Sequence, residues 1–339
     1  MFILRKKPSV QRDDSMSRHS ARTTLLCAAL ALAAVALTIR LEALGNATSA
    51  RQTPTPSDRQ ALDIPSSLDG SSQRSYLVVP PALPAGPRPL LLILHAWSSN
   101  NEGRWPPIER EAATRGWLVL TPNFRGPSDH PEGCGSLLAQ QDILDAVAFV
   151  QEKLPRIEVD KKRIYVMGYS GGGFMTMLMA ARHPETWAAA SAWAGIADLA
   201  AWYQETSQDN IRDQLRACFG GPPDDRLTAE YRERSPIAYL RPSLTVPIEI
   251  AHGDHDPQVS VTHALRAFDL LAPGAVSAMQ VEQIKSRKSG SAPSERDSLL
   301  KGDILLRRSV GSFRLTIYDG GHDYYALAGM AWLAEHSRP

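Results

Sequence analysis

Gly168-Tyr169-Ser170-Gly171-Gly172 sets one hydroxyl among glycines, with an apolar run before it and a helix-like run after it. Such a turn either cradles a phosphate or presents a reactive side chain. Both phosphate readings fail on the residues. A P-loop needs a lysine after its glycines, and none follows here. A dinucleotide fingerprint needs glycine at its third and sixth positions. Counting from Gly168 the third is Ser170, and counting from Gly171 the sixth is Thr176.

The stretch does fit G-x-S-x-G, in which the serine occupies a sharp strand-to-helix turn and lifts its Oγ above the sheet edge. Strand and helix approach closely there, so a side chain at Gly168 or Gly172 would collide with a neighbour. The N-terminus of the following helix favours negative charge beside the serine.

A serine hydroxyl alone is a weak nucleophile. It needs a base, and the base needs a third group to orient it. The chain order for this turn is serine, acid, histidine. Of the nine histidines, His322 in "RLTIYDGGHDYY" is the one that follows Ser170 and is flanked by a strand and a helix. The segment "PIEIAHGDHDPQVSV" offers the acid, with Asp254 and Asp256 both close to a strand end. These residues would cleave an ester or an amide through an acyl-enzyme, with no metal and no cofactor. The oxyanion needs two backbone N–H donors. One belongs to Gly171, and the other comes from the loop after an early strand, His95-Ala96-Trp97.

Two other chemistries compete. "HGDHD" packs two histidines and two aspartates into five residues, which would suit a metal-dependent hydrolase, but that reading leaves the serine turn unexplained. A fold alone does not fix activity, so a non-catalytic binding protein is the other alternative.

The elements that must hold these residues are legible in outline. "SYLVVP", "LLLILHAW", "GWLVLTPN", "RIYVMG", "WAAASAWAG", "VPIEIAHG" and "FRLTIYDGG" are strand-length apolar runs. Helical patterns lie between several of them: 137–154, the run after Ser170 up to Pro184, and "YYALAGMAWLAEH". Alternating strands and helices predict an α/β fold, a mostly parallel central sheet with helices on both faces. Ligands in such sheets sit beyond the carboxyl ends of the strands, where His95-Ala96-Trp97, Asn123-Phe124-Arg125, Ser170, Asp254 to Asp256 and His322 all fall. Residues 199–240 are helical and polar, and read as a small cap insertion. Residues 284–302 are charged and Ser-rich, and read as an exposed loop.

The chain has 339 residues, net charge +1 and 22% charged residues, so neither charge nor any charge run points to nucleic acid. Residues 1–50 differ from the rest. Basic residues precede the uncharged run from Thr23 to Ile39, and small residues follow it. This is the pattern of an export signal, with cleavage after Gly45 or Ala50, or of an uncleaved membrane anchor. The expected location is periplasmic or secreted. Residues 51–63 are read as a flexible linker and 64–339 as the catalytic domain. Cys27 lies in the apolar run; Cys134 and Cys218 remain as a disulfide or as two buried thiols.

His252-Gly253-x-x-Asp256-x-x-Val259 matches the H-G-x-x-D-x-x-V pattern of the prolyl oligopeptidase family, a group of α/β-hydrolase-fold serine hydrolases. "PNFRG", "QQDILDAVAFV", "SPIAYL" and "GGHDYY" also resemble that family's catalytic domain, and the likeness runs from about 75 to 335. The resemblance implies that Asp256 is the acid and Asp254 a turn residue. It also implies that Trp97 is the second oxyanion donor, with Ala96 where the family's loop has glycine. Three features depart from the family. Gly171-Gly172-Gly173 replaces Tyr-Gly-Gly, the Asp256-to-His322 interval is longer than usual, and 339 residues are not expected to hold the family's β-propeller.

Overall fold

The computed structural model describes residues 58–81, 86–154, 156–286 and 296–339. Nine strands form one sheet: β1 (Asp58–Pro65), β2 (Ser72–Val79), β3 (Arg88–Leu94), β4 (Leu118–Thr121), β5 (Val159–Tyr169), β6 (Ala189–Trp193), β7 (Ile248–Gly253), β8 (Ile304–Val310) and β9 (Phe313–Tyr318). Their order is β1-β2-β4-β3-β5-β6-β7-β9-β8. The stretch from β4 to β9 is parallel, and the strands at both ends are antiparallel.

Strand periodicity decides what covers each face. On β3, Leu90, Leu92 and Leu94 point into one core, while Leu91 and Ile93 point into the other. The first core is closed by α2 (Leu137–Lys153), α3 (Gly171–Arg182) and α7 (Thr262–Leu271). The second is closed by α1 (Pro106–Arg115) and α9 (Ala326–Leu333). Every residue of β3 is buried, which is why its sequence is a continuous apolar run rather than an alternating one. A buried leucine contributes about 2 kcal/mol, so these positions anchor the layer that carries the site.

The insertion at 199–240 consists of α4 (Leu199–Glu205), α5 (Asp209–Phe219), α6 (Thr228–Glu233) and a 3₁₀ turn at Pro236–Ala238. Asp198 caps α4 by accepting the Ala200 and Ala201 N–H groups, each at 3.1 Å. On α5 the buried residues Ile211, Leu215, Cys218 and Phe219 recur at helical spacing, and apart from Ala217 the rest of the helix is polar. Cys134 and Cys218 form a disulfide, with Cα atoms 6.2 Å apart.

Two boundaries differ from the sequence reading. The linker expected over 51–63 ends earlier, because β1 begins at Asp58 and pairs antiparallel with β2, burying Leu62 and Ile64. Its polar neighbours Arg59, Gln60 and Asp63 hide that alternation. The loop expected over 284–302 begins inside a helix, α8 (Ala278–Lys285), whose start is fixed by a capping box at Ser277 and Gln280. Residues 287–295 lie outside the described residues, as do the signal or anchor expected over 1–50 and the first part of the linker. Among the described residues, no helix is long and apolar enough to cross a membrane.

Candidate active site

Ser170 stands between β5 and α3 with φ 59° and ψ −121°. This left-handed backbone is uncommon for a side-chain-bearing residue and is the strained turn the motif requires. It is held at both ends: Ser170 N–H donates to the Trp193 carbonyl, and the Ser170 carbonyl accepts from Phe174 N–H, each at 2.9 Å. The flanking glycines are contact points. A Cβ at Gly168 would lie 2.5 Å from the Gly172 backbone, and one at Gly172 would lie 2.1 Å from the Leu94 carbonyl oxygen. Gly172→Ala therefore forces α3 off the sheet. We expect a loss of about 2 kcal/mol in urea unfolding and at least roughly tenfold in turnover. Gly103→Ala, where the space is open, should change neither.

A Cβ at Gly171 would lie 2.2 Å from the Trp97 backbone nitrogen. This explains glycine where the family usually has tyrosine, and it sets the Trp97 amide against the start of α3. The Trp97 carbonyl accepts from Ser128 N–H at 2.8 Å, which holds the next peptide of the same loop. The Trp97 ring is buried against Trp202 and Phe174, with centroids 5.1 and 5.7 Å away. Next to it, His95 stacks on Phe124, and its Nδ1–H donates to the Ala96 carbonyl at 3.0 Å. Burial lowers the His95 imidazole to about 4, so it stays neutral as part of the scaffold.

His322 and Asp256 meet across two strand ends, with Nδ1 and Oδ2 2.6 Å apart. A carboxylate can only accept, so Nδ1 carries the proton and Nε2 is left with a lone pair. Both side chains are almost fully buried. Asp256 Oδ1 accepts the Gln258 and Val259 N–H groups at 2.8 and 3.0 Å. His252 approaches Oδ2 at 3.2 Å and donates from the same Nε2 to the Val259 carbonyl at 2.9 Å. This reciprocal fold is the physical content of the H-G-x-x-D-x-x-V pattern, and it gives His252 a positioning role that sequence reasoning missed. Asp254 turns away: its Oδ1 accepts from Gly320 N–H at 3.3 Å and lies 2.7 Å from His255. The two histidines of "HGDHD" therefore separate. His255, Asp254 and Asp319 bring ligand atoms within 4.8 Å of one another, without His252.

Burial pushes the Asp256 carboxyl up, but the hydrogen bonds from His252 and His322 outweigh it and hold the group well below the usual carboxylate range. The folded state thus binds this proton less tightly than the unfolded chain. The stabilisation is fully present above about pH 4 and is lost as pH falls through the folded-state value. Urea midpoints measured from pH 6 to pH 2.5 should fall in the acid range, and Asp256→Asn should flatten that part of the curve.

Ser170 and His322 share a cavity of about 260 Å³ with Trp97, Ser98, Tyr169 and Val259. The wall facing them includes Trp202, Gln208, Asn210, Ile211 and Gln258, most of them from the 199–240 insertion. A larger cavity of about 730 Å³, near Arg296–Asp303, holds neither Ser170 nor His322. Chemistry, not volume, picks out the site.

A nine-stranded, mostly parallel sheet with helices on both faces, carrying a serine at a left-handed strand-to-helix turn, defines an α/β-hydrolase fold. The chain belongs to the prolyl oligopeptidase family, whose profile matches residues 110–289. It is 30% identical over 152 residues to the uncharacterized peptidase YtmA of Bacillus subtilis, covering 45% of this chain and 57% of that one. It is 31% identical over 140 residues to feruloyl esterase B of Neurospora crassa, covering 37% and 44%. Among solved structures it resembles the acylaminoacyl peptidase of Pyrococcus horikoshii, with TM-score 0.58 and 16% identity over 82% of this chain and 39% of that one. The chain thus spans about half the length of these curated relatives.

Proposed function

We propose that this protein is a serine hydrolase that cleaves small peptides or related amides, and esters by the same steps. The observation that carries the reading is the 2.6 Å hydrogen bond between His322 Nδ1 and Asp256, on the sheet edge where Ser170 stands. Ser170 Oγ attacks the acyl carbonyl carbon as its proton passes to His322 Nε2. Asp256 holds the ring in the required tautomer and stabilises its charged form. The Gly171 and Trp97 N–H groups receive the developing oxyanion, and one such donor contributes roughly 3 kcal/mol to the transition state. His322 then protonates the leaving group. Water, deprotonated by the same nitrogen, releases the acyl-enzyme. Family membership favours the peptide substrate, and a site of about 260 Å³ favours a small one.

The test is turnover of short peptide 4-nitroanilides beside 4-nitrophenyl esters, with EDTA and with a serine-directed phosphonate. Hydrolysis that survives EDTA and is lost with the phosphonate supports the reading; the reverse pattern, or no hydrolysis of either class, contradicts it. We also propose that the protein is exported. The Thr23–Ile39 run and the Cys134–Cys218 disulfide support this, since disulfides persist in oxidising compartments. Fractionation that finds the protein only in the cytosol would exclude export.

A further inference from the structure

The Cys134–Cys218 disulfide ties one wall of the cavity at Ser170 to a loop that contacts the other wall. One wall is α5. Its N-terminal end supplies Asn210 and Ile211 to the cavity, and Cys218 lies near its other end. The helix has 11 residues, and its apolar face is narrow. A helix of that length is marginal on its own, so its place depends on what ties it down. The other wall is the loop that carries Trp97.

Two links join these walls, one direct and one through the disulfide. The Ser98 hydroxyl donates to Gln214 Oε1 of α5 at 2.9 Å. Ser128, which holds the Trp97 carbonyl at 2.8 Å, has its own carbonyl 3.7 Å from Cys218 Sγ. Both cysteines are buried. The bond therefore fastens α5 to the 126–136 loop, and the Ser128 N–H fastens that loop to the Trp97 carbonyl.

We infer that the Cys134–Cys218 disulfide is a positioning device for the active site, holding the substrate wall on α5 and the Trp97 amide in register. The kinetic part of this inference rests on the hydrolase reading; the structural part does not. Reduction by dithiothreitol proceeds by two thiol–disulfide exchanges. The S–S bond breaks, two electrons and two protons pass to the protein to give two thiols, and the reductant closes to a cyclic disulfide.

The experiment compares oxidised protein, reduced protein and the Cys134→Ser/Cys218→Ser variant by hydrogen exchange with mass spectrometry and by ester kinetics. We expect exchange to quicken together in 95–99 and 208–219 while β5 and β7 keep their protection. We expect KM to rise more than kcat falls, with kcat/KM lower by roughly 10- to 100-fold. Unchanged exchange in those two segments overturns the inference, as does alkylation that finds two free thiols in the oxidised sample. Exchange that rises everywhere assigns the bond to overall stability and also overturns it. If the oxidised protein turns over no ester, the hydrolase reading fails, and the exchange comparison still decides the positioning role.

Discussion

Ser170→Ala should lower kcat by roughly 10⁵-fold or more while the unfolding midpoint stays close to that of the parent protein. The loss is large because Oγ is the atom that forms the covalent bond in the proposed reaction, and a methyl group cannot replace it. The stability is spared because the turn is held by backbone. The Trp193 and Phe174 hydrogen bonds run to the Ser170 peptide, and its side chain does not cap α3. Alanine at φ 59° meets the same steric cost as serine. Steady-state kinetics and urea unfolding of one preparation separate the two effects. A variant that keeps more than about 1% of the activity would point to another nucleophile.

Asp256→Asn is expected to cost about 10⁴-fold in kcat with little change in KM. The carboxamide fits the same space, but its NH₂ offers a proton where His322 Nδ1–H needs an acceptor. The imidazole then favours the tautomer with the proton on Nε2, which cannot take the serine proton. His252 also loses its charged partner at 3.2 Å. Asp254→Asn is the control. Its carboxylate braces the turn against Gly320 rather than touching His322, so a loss below roughly tenfold is expected. Equal losses in both variants would show that the chemistry does not depend on the 2.6 Å contact.

The serine turn was legible because its constraint is local. Gly168 is small for a reason that falls within five residues, the Gly172 backbone, and the flanking strand and helix have clear periods; the Leu94 carbonyl that keeps Gly172 small is visible only in the fold. The choice between Asp254 and Asp256 was not legible from spacing, since both follow β7 within four residues. Only the pattern including His252 and Val259 separates them, and the structure shows that pattern to be a hydrogen-bonded loop closing on Asp256. β8 was missed because it is a partly exposed edge strand, with two arginines in seven residues and no buried run. Trp202, Gln208 and Gln258 were missed for a different reason. Trp202 and Gln208 line the Ser170 cavity only because α4 and α5 dock there, through contacts such as Ser98 to Gln214 that join residues far apart in the chain, whereas Gln258 comes with the loop that carries Asp256. The separation of 84 residues between Cys134 and Cys218 likewise carries no geometry by itself.

Activation of Ser170 by His322 is tested by reaction of the purified protein with a fluorophosphonate, followed by peptide mapping. A single stoichiometric adduct on Ser170 is expected, formed by the parent protein and not by His322→Ala. An adduct elsewhere, equal labelling in His322→Ala, or no adduct on folded protein would contradict it.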